Sequence, residues 1–177
     1  MITKQFVQEW SERYNYRPEL EQKIINHFKG SRDYLGSSIF EKIIRWKAPR
    51  VITRIEVNEE YLREITKIAF NTINEKLKIE VLTLLGGVSY RVASTILHFR
   101  FPDKYPIMDY RAWGTLQEMG ELTRGYVIKD DFKHWETYFK KCREIVKREQ
   151  LSGDGYKTAL KILDQALWQY SKENSRK

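Results

Sequence analysis

The chain has one cysteine, four prolines and three histidines among 177 residues. Each scarcity excludes something. A lone thiol, Cys142, forbids an intramolecular disulfide and any four-cysteine zinc or iron–sulfur site. His27, His98 and His134 are scattered without ligand spacing, so no metal site is expected. No window approaches the roughly 20 apolar residues of a membrane span. The N-terminus, MITKQFVQEWSERYNYRPELEQ, mixes charge and aromatics too evenly for a signal peptide. A cytoplasmic, membrane-free protein is the expectation. Period-two alternation is confined to VITRIEV, residues 51–57, which reads as an extended connector between helices.

What is present is more telling. Apolar residues at 41% and aromatics at 14% can offset chain entropy, so a folded core follows. The formal charge of +8 points to a polyanionic partner, either nucleic acid or an anionic membrane. Helical periodicity runs through nearly the whole chain and predicts an all-α fold. Phe6, Trp10 and Tyr14 mark a first helix reaching about residue 16, and Pro18 opens a second that Gly30-Ser31 ends. A third spans about residues 38–47, closed by Pro49. Asn58 caps a fourth, with Glu59 and Glu60 in its first turn. Further helices flank Gly86-Gly87, follow Asp109 and Asp130, and span about residues 156–171.

Gly86-Gly87 joins two helices with almost no loop. So tight a turn calls for backbone angles that glycine adopts cheaply, and the next helix begins with amides pointing outward. Those amides and the helix dipole suit a phosphate. An ordinary αα-hairpin is the alternative. Asp109 likewise has two readings: an N-cap for the helix over residues 110–119, or a carboxylate that stabilises positive charge developing on a sugar.

Together, L-x-x-L-G-G-V-S-x-R-V-A (residues 82–93) and Y-P-I-M-D-Y-R-A-W (residues 105–113) resemble the helix-hairpin-helix DNA glycosylase superfamily. The match is close over about residues 79–116. F-x-x-I-x-x-W-K-x-P-R (residues 40–50) resembles a little-characterised bacterial branch without the iron–sulfur cluster. The resemblance implies two helical lobes with a cleft between them. One would be a central lobe of about residues 31–120 carrying the hairpin at 79–101. The other would combine residues 1–30 with 121–177. It also implies a monomer that binds double-stranded DNA with a nucleotide flipped out. Gly86, Gly87, Val88, Ser89 and Arg91 would hold the backbone, and Asp109 would be catalytic. No cofactor is implied, although such hairpins can hold a monovalent cation. Ser89 stands where the superfamily has a second glycine. Arg91 aligns with the lysine that forms a Schiff base in lyase members, and a guanidinium cannot be that nucleophile. Hydrolytic base release without lyase chemistry follows, unless an unaligned lysine such as Lys104 reaches the site.

The segment KIIRWKAPRVITR, residues 42–54, holds five basic residues and no acid. Lys47 and Arg50 suit a phosphate backbone, and Trp46 can stack on a base or fill the core. Tyr90 and Tyr110 flank the proposed site and can line a base pocket or pack between helices. Two other functions fit the same sequence: a non-catalytic DNA-binding module that kept the hairpin, and an all-α protein-interaction module.

Overall fold

The computed structural model describes residues 1–30, 33–54, 58–125 and 127–174. Among them the chain is helical, with no strand beyond an isolated bridge between Asp154 and Lys157. The helices are α1 (Lys4–Glu12), α2 (Pro18–Phe28), α3 (Ser37–Lys47), α4 (Glu59–Asn71), α5 (Glu75–Leu82), α6 (Tyr90–Arg100), α7 (Tyr110–Glu118), α8 (Phe132–Arg148) and α9 (Ala159–Asn174). No described helix is long and apolar enough to cross a membrane.

Short polar side chains start these helices where the sequence puts them. Thr3, Asn58, Asn74, Asp109 and Asp131 each accept a backbone N–H of the following first turn. Three expectations shift. The last helix runs over Ala159–Asn174 rather than about residues 156–171. The first helix stops at Glu12 rather than near residue 16, because Tyr14 and Tyr16 leave for different partners. Tyr14 meets Trp168 edge-on at 5.7 Å, whereas the Tyr16 hydroxyl donates to the Trp46 carbonyl at 2.9 Å. Pro49–Arg54 forms a 3₁₀ turn instead of an extended connector, and the rest of that segment, residues 55–57, lies outside the described residues. So does Ser31 of the expected stop after α2.

The chain divides into two compact units, Tyr16–Phe101 and Met1–Asn15 with Pro102–Lys177. The units divide at residues 15/16 and 101/102, whereas the resemblance implies lobes dividing at about 30 and 120. α2 joins the central unit because its Ile24 and Phe28 face pack against α3 and α6. α7 joins the terminal unit because it packs along α9, where Thr115 Oγ1 donates to the Leu167 carbonyl at 2.9 Å.

In the central unit, buried Lys78 donates to the carbonyls of Ala69 (2.9 Å) and Thr72 (2.5 Å). A cation thereby closes the C-terminus of α4 and fixes α5 beneath it. The terminal unit centres on a ring stack: Trp135 lies parallel to Phe139 at 5.3 Å, and Tyr105 covers both.

The N-terminus of the terminal unit is held by an ionic clasp. The Ile2 N–H donates to Glu121 Oε1 (2.9 Å), and Arg148 donates to the Ile2 carbonyl (2.8 Å) and to Glu121 (2.8 Å). Burial alone would raise the Glu121 carboxyl. The hydrogen bonds from Arg148 and Ile2, with the Arg148 charge, outweigh it and hold the group below its ordinary value. A carboxyl lowered on folding stabilises fully above its unfolded pKa and stops doing so as pH falls through the folded one. Glu121→Gln should therefore cost about 1–3 kcal/mol near neutral pH. The gap from wild type should narrow as pH falls below the ordinary carboxylate range, as read from urea midpoints at neutral and acidic pH.

Candidate functional site

The hairpin forms within the central unit. α5 ends at Leu82 and α6 begins at Tyr90. Leu85 and Val88 turn inward as anchors, leaving Gly86 and Gly87 exposed at the tip. Only Gly87 needs to be glycine for conformational reasons, since its φ of 79° is left-handed. At Gly86 an added Cβ would meet nothing within 4 Å. The amide of Val88 does not point outward as expected. It donates to the Leu85 carbonyl at 3.0 Å and closes the turn. Ser89 is the N-cap of α6 but makes no side-chain capping bond, so the hydroxyl does not cover the first amides of that helix.

Arg91 sits half-buried in the first turn of α6, where its carbonyl accepts from Ser94 Oγ (2.9 Å) and Thr95 Oγ1 (2.8 Å). The Tyr90 hydroxyl donates to Glu80 Oε1 at 3.1 Å and ties the two hairpin helices together. Lys47 ends α3 and exposed Arg50 follows in the 3₁₀ turn. Because α3 packs on α6, this basic segment and the hairpin share one unit. Trp46 takes the core alternative. It is 3% exposed, edge-on to Tyr16 at 5.6 Å and to Phe99 at 5.3 Å, which leaves little of the ring for a base.

Asp109 belongs to the terminal unit. Its backbone is extended, its Oδ1 accepts the Arg111 N–H at 2.8 Å, and its carbonyl takes the Trp113 N–H. The residue is 8% exposed. Next to it Tyr110 is 56% exposed, the opposite extreme within one peptide step. The Arg111 guanidinium lies 5.4 Å from the Tyr110 ring and 5.9 Å from Trp168. Trp168 in turn meets Lys172 at 5.2 Å and Tyr14 at 5.7 Å, and Lys161 lies 5.8 Å from Tyr14. Arg111 and Lys172 thus both lie against Trp168, a composition suited to stacked bases and phosphates, whereas Lys161 is buried.

Sequence reasoning missed Arg111, Trp168 and Tyr14 as a group. Their ring and cation chemistry was visible, but they come from three segments spread over the chain, and only α1 and α7 both packing on α9 unites them. Behind Asp109, Tyr138 is fully buried. Burial, with the Cys142 thiol and the Asp164 and Asp109 carboxylates nearby, raises its hydroxyl far above the ordinary value, so it stays neutral. Burial likewise pushes the Cys142 thiol up, which makes it inert rather than nucleophilic.

No family model, curated protein or solved structure matches the chain.

Proposed function

We propose that the chain is a DNA N-glycosylase of the helix-hairpin-helix type, releasing a base by hydrolysis without lyase chemistry. One observation carries this reading. A two-helix hairpin with a glycine tip is followed, from residue 100 to residue 109, by an aspartate that caps the next helix within an aromatic and cationic surface. On this reading the two compact units are the lobes of that superfamily, and the partner is a DNA duplex with one nucleotide flipped out. Gly86, Gly87 and the start of α6 hold a phosphate, helped by Lys47 and Arg50.

In the reaction a water oxygen bonds to the sugar C1′ as the C1′–N bond breaks. The base leaves with the bonding electron pair. The Asp109 carboxylate faces the positive charge that develops on the sugar and takes up the water proton directly or through solvent. Arg91 keeps its proton and forms no imine. Lys78, the lysine of α5 buried beside the hairpin, is committed to two carbonyls.

The hairpin can be tested apart from the chemistry. Substitution at Gly87 would strain the turn itself, whereas Gly86→Ala meets open space. Gly86→Ala should keep its stability to within about 0.5 kcal/mol. It should weaken salt-sensitive duplex binding by about tenfold, because the methyl group obstructs a close phosphate. Unchanged binding would reduce Gly86-Gly87 to a turn. Base release is assayed on a panel of modified-base duplexes, with hot alkali revealing abasic sites.

A further inference from the structure

A second feature of the terminal unit stands apart from Asp109. Trp113 of α7, Leu122 and Thr123 of the following turn, and Lys133, His134 and Thr137 of α8 enclose a pocket of about 210 Å³. Its floor is aromatic and buried. Trp113 and His134 are each 4% exposed, their rings 5.8 Å apart, and Tyr138 stacks behind Trp113 at 6.3 Å. Its rim, Thr123, Lys133 and Thr137, is polar and exposed.

The walls are fixed before any ligand arrives. Gly120, at φ 73°, ends α7, and the N–H groups of Glu121 and Leu122 return to the Leu116 carbonyl. Gln117 Nε2 donates to the Thr123 carbonyl at 2.7 Å. The His134 ring is oriented by Nδ1–H donating to Asp131 Oδ1 at 2.7 Å, and the same oxygen accepts the His134 backbone N–H. Thr137 Oγ1 donates to the Lys133 carbonyl. A preformed cavity loses little binding energy to ordering.

Asp131 is engaged by His134, and Glu136 pairs with Lys140 at 2.8 Å. Lys133 forms no ion pair among the described residues. Rings on the floor and, at the rim, a lysine without an ion pair among the described residues match a flat apolar body bearing a negative substituent. The volume falls below the roughly 300–1,000 Å³ of drug-sized sites, so one small ring system fits.

The geometry points to this pocket as a binding site for a small planar aromatic anion, its ring against Trp113 and His134 and its charge on Lys133. An aromatic carboxylate and the base and phosphate of a nucleoside monophosphate share that chemistry. The test titrates the intact, ¹⁵N-labelled chain with benzoate, benzamide and thymidine monophosphate while backbone amide shifts are followed. Benzoate should move the amides of Thr123, Lys133, His134 and Thr137, and should bind at least tenfold more tightly than benzamide, its uncharged counterpart. Lys133→Glu, at an exposed position, should erase that preference. Thr137→Phe, which fills the rim, should abolish binding of every probe. Tighter binding of thymidine monophosphate than benzoate would identify the source as a nucleotide, and the reverse a free aromatic acid. Asp109→Asn should leave these titrations unchanged, which separates this site from the glycosylase reading. Equal binding of benzoate and benzamide, or no shift with any probe up to about 10 mM, overturns the proposal.

Discussion

Asp109→Asn should reduce base release by roughly 10²–10³-fold while leaving fold and duplex affinity near wild type. The substitution is clean because asparagine separates the observed N-cap bond of Asp109 from the charge proposed for it. As an N-cap it accepts the Arg111 N–H through Oδ1, and an asparagine carbonyl oxygen does this equally well. As a carboxylate it carries a charge that asparagine lacks. Asp109→Ala would lose both, adding about 1 kcal/mol of destabilisation to the kinetic loss. Comparing the two variants in single-turnover base release and thermal unfolding separates chemistry from capping. If Asp109→Asn releases base at the wild-type rate, the carboxylate has no catalytic part. If no duplex in the panel loses a base with the wild-type chain, the non-catalytic DNA-binding reading takes its place.

The largest stability effect is expected at Trp135. Its side chain is fully buried against Phe139 and Tyr105, so Trp135→Ala removes most of a ring stack and leaves a cavity that rigid neighbours cannot fill. The expected cost is about 3–5 kcal/mol, read from denaturant midpoints. Trp135→Phe should cost far less than its lost volume suggests. The indole N–H is buried without a hydrogen-bond partner among the described residues, and phenylalanine removes that donor while keeping a ring. Costs of equal size for the two variants would show that the N–H is satisfied, for example by a buried water.

Much of the architecture is legible in the chain because helix signals are local. Periodicity at three and four residues gives much of the buried stripe of α8, and Asn58 and Asp109 mark helix starts through bonds that span only two or three residues. The glycine hairpin is legible for the same reason, since its turn closes on its own backbone. Legibility fails where a residue could satisfy either of two partners. Trp46 lies on a stripe with Ile39 and Ile43 inside a basic segment, and nothing local separates a base-stacking indole from a core one. Phe99, far away in sequence, decides it. Val88 looked like a donor to DNA until its amide met the Leu85 carbonyl.

By itself, then, the sequence determined an all-α chain, the positions of most helix starts, the glycine hairpin and the aspartate beyond it. Each depends on contacts within a turn or two of helix. Only the tertiary structure decided that α7 packs with α9 and α2 with α3, that Arg111, Trp168 and Tyr14 lie together, and that Lys133, His134 and Trp113 line one pocket. Apolar stripes on different helices are chemically interchangeable, so their pairing depends on how well whole surfaces fit, and that fit is a property of the assembled chain.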